Sequence, residues 1–468
     1  MDKSIIVLFR EDLRIHDNPA LFSACQEGNV IPLYIWDEET SHSTSGEAKK
    51  WWLHRNIDSF QSTIRSIGGR LFLDAGKIEE ILPKWVEKTN AQAVYWNRVY
   101  EPKVYERDLK LAHSLSSQGI EVKTYEGSLL LPPWKIKKDD DSPYQVYSAF
   151  YRSIRKEQIP EPFPSPEHLK IPTFKEEGIS LEDLGLLPSI HWYHVMESIW
   201  EPGEEAAFTR LNSFLESSLH DYSEGRDVPS AGHHSTLSPY LALGVISVRK
   251  VFHTLIEMKN KPVEPFIKQL IWREFSYTVL LHHPESTTRP LNEKFRKFEW
   301  QPNEGEWEKW TKGQTGYPIV DAGMRELWAT GYMHNRVRMI VASFLTKHLL
   351  IPWQRGAEWF LDTLIDADLA NNSMGWQWVA GSGLDSAPYF RIFNPTLQSK
   401  KFDEDGTYIR MWVPELNNLP NRYIHKPSDT PADVLEQSNI TLGKDYPYPI
   451  VDHKAARERA LERYEEIK

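Results

Sequence analysis

The sequence predicts an α/β domain with a doubly wound parallel sheet, then a long linker, then a helical domain that fills the rest of the chain. Three observations support this division. Short apolar runs alternate with helical patterns in the first 130 residues. Residues 131–205 are rich in proline and charge, and residues 206–468 are helical in pattern almost throughout. A chain of 468 residues is also too long for a single ordinary core.

The N-terminal domain is predicted from five apolar runs, each short enough to be a strand. These runs are residues 4–9, 30–36, 70–74, 93–97 and 120–126, and the helical patterns between them cover 18–28, 49–68, 78–90 and 105–119. Strands and helices that alternate at this spacing form a parallel sheet. Neither G-x-G-x-x-G nor G-x-x-x-x-G-K-[ST] is present. The α/β pattern alone therefore indicates no function.

The next segment, residues 131–205, has no sustained period. Its stretches "LPPWKIKKDDDSPYQ" and "IPEPFPSPEHLKIP" are typical of a linker that runs over a surface, with one short helix at 147–156. Long helical runs then follow at 204–222, 265–283, 335–350 and 453–468. The predicted domains are therefore 1–130, 131–205 and 206–468.

Composition narrows the class of protein. One cysteine, Cys25, excludes an intramolecular disulfide framework and suits a reducing cytoplasm. No apolar run approaches the roughly 20 residues that cross a bilayer, and the first residues do not form a signal peptide, so we expect a soluble cytoplasmic protein without a membrane partner. No C-x-x-C, H-E-x-x-H or G-x-S-x-G motif occurs. We therefore expect no metal site and no ordinary hydrolase.

Charge and aromatic content allow a flat, anionic ligand. The net charge of −11 argues against nonspecific binding to nucleic acid, but it leaves room for a local basic groove. The 18 tryptophans and 20 tyrosines are numerous enough to include stacking platforms beside those that only fill the core.

The stretch "DADLANNSMGWQW", residues 366–378, combines acids, amides and tryptophans. In a helix Asp368, Asn372 and Trp376 lie on one face, at positions i, i+4 and i+8. Taken alone, the stretch is better explained by a helix that Asp366 or Asp368 caps and that buries two tryptophans.

Two other helical faces make a functional site more plausible than a capped helix alone. One consists of Asn335 and Met339 with Arg336 and Arg338 beside them, and the other of Gln269, Trp272, Arg273 and Ser276. Each could be an ordinary solvated or amphipathic face. Tryptophan beside arginine could also form a stacking surface with a phosphate clamp. Together the three stretches supply the groups that a polyanionic flat cofactor and a flat substrate require.

Several long motifs in order show a resemblance to a known family. They are "LFREDLRIHDNPAL", "STLSPYLALGVIS", "IWREF", "TGYPIVDAGMRELWATGYMHNRVRM", "DADLANNSMGWQWVAGSG" and "APYFRIFNP". The chain resembles the photolyase/cryptochrome family nearly end to end, and within it bacterial class I photolyases that repair cyclobutane pyrimidine dimers. The family fold is an N-terminal α/β domain, a long linker and a C-terminal helical FAD domain, in agreement with the pattern above.

The resemblance implies FAD as cofactor, active as FADH⁻. It places Asp366 opposite Arg338 as a buried pair and sets the Asn372 amide beside flavin N5. The phosphate loop here begins with His234, where the family has a hydroxyl residue, so one hydrogen bond to phosphate is in doubt. The residues implied to hold FAD are Tyr222, Ser235, Thr236, Leu237, Ser238, Asn335, Arg338, Asp366, Asp368 and Asn372.

The resemblance also assigns electron transfer and DNA contacts. Trp376, Trp353 and Trp300 match a chain that carries an electron from the surface to the flavin, and Trp272 and Trp378 match the wall around a flipped-out dimer. The residues implied to contact DNA or the lesion are Arg226, Gln269, Trp272, Arg273, Asn335, Arg336, Met339, Trp378 and Gln398, and those implied in catalysis are Gln269, Asn335 and Asn372.

One residue departs from the class I pattern. Gln269 stands where class I photolyases usually have a glutamate that stabilises the dimer radical anion. Enzymes that repair (6-4) photoproducts have Gln there, but they also need two histidines, which are Asn335 and Met339 here. Dimer repair in UV-damaged DNA by a monomer is therefore the expectation, with a (6-4) photolyase and a blue-light photoreceptor as alternatives. A folate or a deazaflavin as second chromophore is left open.

Overall fold

The computed structural model describes residues 3–38 and 46–468. Within these residues five strands form one sheet in the order β3-β2-β1-β4-β5. All its pairings are parallel. The strands are β1 Lys3–Phe9, β2 Gly28–Trp36, β3 Phe72–Ala75, β4 Ala93–Asn97 and β5 Glu121–Tyr125. The predicted doubly wound parallel sheet is thus confirmed, with strand limits within two residues or so of the apolar runs.

Burial explains why these runs form strands. The central strand β1 pairs with β2 on one side and β4 on the other, and its last five residues are buried on both faces. A parallel strand that is covered on both faces requires a continuous apolar run, and "IIVLF" supplies one. Ile6, Leu33 and Trp96 meet in the core of this domain, and the helix residue Trp85 packs beside them.

The helices follow the predicted order in the described residues. They are α1 Pro19–Glu27, α2 Glu47–Ser66, α3 Ile78–Thr89, α4 Pro102–Ser117, α5 Tyr147–Ile154, α6 His194–Ile199, α7 Glu204–Ser213, α8 Tyr222–Gly225, α9 Ser238–Ala242, α10 Val248–Glu257, α11 Glu264–His282, α12 Glu304–Thr311, α13 Pro318–Thr330, α14 Asn335–Ser343, α15 Trp353–Thr363, α16 Leu369–Ala380, α17 Pro395–Phe402, α18 Thr407–Trp412, α19 Asn421–Ile424, α20 Ala432–Gln437 and α21 His453–Glu465. None of the five strands lies beyond residue 125 in the described chain, as the helical pattern predicts.

Local signals define several helix ends. Asn18 caps α1 by accepting a hydrogen bond from the Leu21 amide, and Pro19 occupies the first helical position, where a missing N–H costs nothing. Two predicted helices end in a wider turn instead of continuing. Residues Phe214–Ser218 after α7 and Phe344–His348 after α14 are π-helical, a form that periodicity at 3.6 residues does not reveal.

The chain divides into two compact units. The first comprises Met1–His220, Ser235–Pro284 and Ile365–Ala370, and the second comprises Asp221–His234, Glu285–Leu364 and Asn371–Lys468. The first unit contains the sheet, α5 and α11. The second contains a core of its own around Phe295, Phe298 and Tyr389. No helix in the described residues is both long and apolar enough to span a membrane.

Candidate functional site

The two aspartates of the 366–378 stretch lie buried in the first unit. The Ser238 hydroxyl donates to Asp366 Oδ2 at 2.6 Å, and the Tyr277 hydroxyl donates to Asp368 Oδ2 at 2.6 Å. A carboxylate that accepts a short O–H hydrogen bond in a buried position is held in one orientation. Helix α16 begins at Leu369, directly after Asp368. The structure therefore orients both predicted cofactor-binding acids.

The predicted phosphate loop has an unusual backbone at Thr236. Its φ of 51° lies in the left-handed region, which a β-branched residue rarely adopts and which costs on the order of 1–3 kcal/mol. The Thr236 hydroxyl accepts a hydrogen bond from Arg210 at 3.1 Å and donates to the Ser235 carbonyl at 2.8 Å. No local sequence pattern identifies Arg210 as a partner of the loop, because it is 26 positions away. It supports the loop conformation from inside the same unit.

Helix α11 presents two of its predicted lesion-binding residues at a partly exposed face. Gln269 donates from its amide nitrogen to the Pro265 carbonyl at 3.2 Å, one turn earlier in the helix. Trp272 lies flat against Tyr147 of α5, with ring centroids 3.5 Å apart and an angle of 6° between the rings. The sequence motifs did not indicate Tyr147.

The next predicted residue on α11, Arg273, faces inward. It donates to the Ser128 carbonyl at 2.9 Å, and its guanidinium lies 4.9 Å from the centroid of the Tyr277 ring. Its side chain is only 12% exposed. Its contact with DNA phosphate stays a prediction, and in this structure the guanidinium helps to orient Tyr277, the donor to Asp368.

Helix α14 gathers four predicted residues in the second unit. Asn335 and Met339 are neighbours one turn apart, as the i, i+4 spacing predicts. Arg336 forms an ion pair with Asp227 at 2.7 Å and lies over the Phe402 ring at 4.4 Å. Arg338 donates to the Met333 carbonyl at 2.7 Å.

The predicted residues before the loop lie in the same unit. The Arg226 guanidinium lies 5.5 Å from the centroid of the buried Tyr222 ring, and its Nε is 4.0 Å from Asp227. Asp227 therefore faces two of the predicted DNA-binding arginines, Arg226 and Arg336. Gln398 is half-buried in α17 of this unit.

A buried histidine pair lies beside α14. His334 caps the helix by accepting a hydrogen bond from the Arg336 amide at 3.1 Å, and its ring meets that of His234 edge-on at 5.2 Å. Burial, with His234 adding to it, lowers the pKa of His334 to about 3, and burial also lowers the pKa of His234. Both rings are therefore neutral at pH 7. His234, which replaces the expected loop hydroxyl, adds no charge.

The predicted tryptophan chain has two buried members and one half-buried member in the second unit. Trp376 and Trp353 are 3% and 1% exposed, and Trp300 is half-buried against Phe298 at 4.6 Å. Gly356 lets α15, which begins at Trp353, approach Trp376, because a Cβ at Gly356 would lie 2.1 Å from the Trp376 ring. A half-buried Trp300 and two buried rings fit a path that leads from the surface to the interior.

Two other predicted members of α16 lie in this unit. The Asn372 amide donates to the Ala357 carbonyl at 2.9 Å, which fixes the plane of the amide. Trp378 stays half-buried, unlike Trp376 in the same helix. The sequence motifs did not indicate Trp310, a fully buried ring 6.4 Å from Trp376, whose indole N–H donates to the Val341 carbonyl.

A separate crevice lies in the first unit, at the carboxyl ends of β1, β2 and β4. Its lining includes Arg10 after β1 and Val99 after β4. In the order β3-β2-β1-β4-β5 the connections lead in opposite directions from β1 and from β4, and the switch point between two such strands is where open parallel sheets bind ligands. Ion pairs of Lys49 with Glu11 at 2.7 Å and of Arg107 with Asp37 at 3.0 Å border the crevice.

Comparison with known proteins supports the resemblance to the photolyase/cryptochrome family. Residues 5–167 match the family model described as DNA photolyase, and residues 266–466 match the FAD binding domain of DNA photolyase. The chain is 45% identical to deoxyribodipyrimidine photo-lyase of Agrobacterium fabrum, over 99% of this chain and 98% of that protein. It is 39% identical to Cryptochrome-2 of Arabidopsis thaliana, over 98% of this chain and 78% of that protein.

Solved structures agree with this. A class III photolyase from Agrobacterium tumefaciens has a TM-score of 0.97 and 44% identity, covering 100% of this chain and 98% of that chain. That structure belongs to class III, whereas the motifs resemble class I. An archaeal photolyase from Sulfolobus tokodaii with two FAD molecules has a TM-score of 0.85 and 30% identity, covering 99% of this chain and 100% of that chain. The chain belongs to the photolyase/cryptochrome family and carries its FAD-binding domain.

Proposed function

We propose that this protein is a light-driven DNA repair enzyme that splits cyclobutane pyrimidine dimers in UV-damaged DNA. The observation that carries the proposal is that Trp272 and Trp378 remain partly exposed while Trp376 and Trp353 are buried. Open aromatic faces are what a flipped-out base stacks on, at about 1–3 kcal/mol per base. The 45% identity to a deoxyribodipyrimidine photo-lyase over the whole chain supports the same activity.

FAD fits the donor set on which this proposal depends. Asp366 and Asp368 offer carboxylates oriented by Ser238 and Tyr277, which suits the N–H and hydroxyl donors of a flavin. Asn372 offers an uncharged amide, which tolerates the anionic reduced form. When bound in that form, FAD supplies the electron that blue light transfers to the dimer.

The chain's own residues hold the partners and exclude water. Trp300, Trp353 and Trp376 carry an electron inward, and because Trp353 and Trp376 are buried their rings are shielded from solvent. Trp272 and Trp378 hold the lesion. Arg226 and Arg336 bind phosphate locally, although the protein as a whole is acidic.

We further propose that the crevice at the carboxyl ends of β1, β2 and β4 binds a second chromophore. It lies at the switch point of the sheet, and the related archaeal photolyase contains a second FAD. The chemistry of the ligand is left between a folate and a flavin-type molecule. The absorbance spectrum of the purified protein distinguishes them, and Leu53→Trp, which narrows the crevice, should reduce the band of the second chromophore while the FAD band stays.

A photoreceptor function is the second candidate, because the chain is 39% identical to a plant cryptochrome. Gln269 also keeps (6-4) repair as a candidate. One experiment separates the three. Reduced protein is mixed with oligonucleotides that contain a cyclobutane dimer, a (6-4) photoproduct or no lesion, in blue light or in the dark.

We expect loss of the cyclobutane dimer only in the light. Repair of the (6-4) photoproduct alone would replace the proposal with the second lesion specificity. If neither lesion is repaired by protein that holds reduced FAD, the proposal is wrong and the photoreceptor is favoured.

A further inference from the structure

The ring of Trp272 has one face covered by Tyr147. The two rings are nearly parallel, with centroids 3.5 Å apart and 6° between planes. Other aromatic pairs in this unit are looser, such as Phe150 and Phe275 at 5.2 Å and 49°. Full overlap of two flat rings leaves the indole only its opposite face and its edges for a ligand.

Tyr147 is itself fixed to the helix that carries Trp272. Its hydroxyl donates to the Lys268 carbonyl at 2.7 Å, and Lys268 lies four residues before Trp272 in α11. The tyrosine is thus anchored one helical turn below the ring it covers. A second contact, between Phe150 of α5 and Phe275 of α11, holds the two helices together.

This anchoring restricts the rotamers of Trp272. A tryptophan at a partly exposed helix position otherwise samples several side-chain conformations, and binding must select one of them. Ordering one flexible side chain weakens binding by about two- to tenfold, so a side chain that is ordered beforehand avoids that loss.

We propose that Tyr147 is a positioning residue that holds Trp272 ready to stack on the lesion. The segment between the sheet and the helical half would then take part in lesion recognition rather than only connecting them. This inference rests on the proposed function, because it requires that Trp272 contacts the dimer.

The test measures the affinity of the full-length FAD-containing protein for an oligonucleotide with a cyclobutane dimer and for the same undamaged oligonucleotide. Tyr147→Leu removes the flat ring but fills the space, Tyr147→Met is a second such variant in case the first does not fold, and Tyr147→Phe keeps the ring. Tyr151→Leu is the matched control. Tyr151 lies one turn further along α5, and its ring centroid is 6.0 Å from that of Tyr147.

We expect Tyr147→Leu or Tyr147→Met to weaken binding of the dimer about two- to tenfold. Affinity for undamaged DNA and repair per absorbed photon at saturating DNA should stay unchanged. Tyr151→Leu should bind the dimer within about twofold of the wild type. Tyr147→Phe, which keeps the ring but loses the hydrogen bond to Lys268, should bind with an affinity between those of the wild type and Tyr147→Leu. In a Trp272→Leu background the substitution at Tyr147 should have no further effect, because its influence passes through Trp272.

Any of three results overturns the inference while the proposed function stands. The first is wild-type binding that prefers dimer DNA together with unchanged binding by Tyr147→Leu. The second is an equal loss for damaged and undamaged DNA, and the third is the same loss in the Trp272→Leu background. A wild-type protein that does not prefer dimer DNA overturns the proposed function, and the inference with it.

Discussion

At the scale of single residues, burial keeps polar groups of the site either neutral or oriented. His334 and His234 stay uncharged because they are buried, and Asp366 and Asp368 each accept a short hydrogen bond from a hydroxyl. Long-range partners provide this control. Tyr277 is 91 positions from Asp368, and Tyr147 is 125 positions from Trp272, so no local pattern could identify either partner.

The depressed pKa of His334 predicts a pH effect on stability. Below about pH 6.5 His334 binds a proton in the unfolded chain. In the folded protein it stays unprotonated until the pH falls to about 3. Stability is therefore lost as the pH falls through this window. His334→Asn keeps an N-cap acceptor and removes the titrating group. As the pH falls, the free energy of unfolding of this variant should therefore decrease less steeply than that of the wild type, with slopes that differ by up to about 1.4 kcal/mol per pH unit.

Urea unfolding at a series of pH values measures this difference. The exposed His220 provides the control, and His220→Asn should follow the wild-type curve. Parallel curves for His334→Asn and the wild type between pH 6.5 and 4 would show that His334 does not titrate as the burial indicates.

We expect that replacing Gln269 with glutamate improves dimer repair. Its amide donates to the Pro265 carbonyl, and it cannot supply a proton to a dimer carbonyl. Gln269→Glu should raise the yield of dimer repair per absorbed photon, because a protonated carboxyl can transfer its proton to the dimer and an amide cannot. The yield is measured on dimer-containing oligonucleotide at saturating protein, with Gln269→Leu expected to lower it. An unchanged or lower yield for Gln269→Glu refutes this role.

At the scale of elements, periodicity predicts which segments are helices but not which parts of a face stay open. Gln269, Trp272, Arg273 and Ser276 share a face of α11 in the sequence pattern. In the structure Gln269 and Trp272 remain partly exposed, Arg273 turns to Ser128, and Ser276 is buried. Tertiary contacts from outside α11 decide this, Tyr147 at Trp272 and Ser128 at Arg273. The π-helical turns after α7 and α14 were also not predicted.

We expect Gly356→Ala to destabilise the protein, although helix propensity alone predicts that it is stabilising. Alanine stabilises a helix interior by about 1 kcal/mol relative to glycine. Here the added Cβ would lie 2.1 Å from the Trp376 ring and 2.7 Å from Leu345. Overpacking of this kind costs about 1–3 kcal/mol, so Gly356→Ala should lower the free energy of unfolding and slow photoreduction of the flavin.

The neighbouring helix offers a matched control. Gly375 is in α16 beside Trp376, and a Cβ there would meet nothing within 4 Å. Gly375→Ala should therefore be neutral or stabilising in the same urea titration. If Gly356→Ala is as stable as Gly375→Ala, the close approach of α15 to Trp376 is not as described.

At the scale of the whole molecule, the acidic balance limits how DNA can bind. A net charge of −11 repels phosphate, so we expect the affinity for DNA to depend on a few local arginines. Composition predicted this limit, and the motifs named the arginines. The structure adds that Arg273 is enclosed and that Asp227 faces both Arg226 and Arg336.

Few phosphate contacts predict a weak dependence on salt. With Arg226 and Arg336 as the contacts, the slope of log K against log salt concentration should be about −2, since each phosphate contributes roughly −0.9. Arg226→Gln should make the slope shallower by roughly 0.9, the contribution of one phosphate contact. Arg65→Gln, at an exposed position, should leave the slope unchanged. Fluorescence anisotropy between low and physiological salt measures the slope. A slope of about −5 or steeper would indicate a wider basic surface.

In the proposed repair reaction, the dimer would accept an electron directly from the protein's light-excited reduced flavin. The most direct measurement is the fluorescence lifetime of that flavin, with dimer-containing DNA, with undamaged DNA and alone. We predict a shorter lifetime with dimer DNA only, and a loss of dimers that grows with the shortening. An identical lifetime in all three samples, with dimers intact after illumination, would contradict the account.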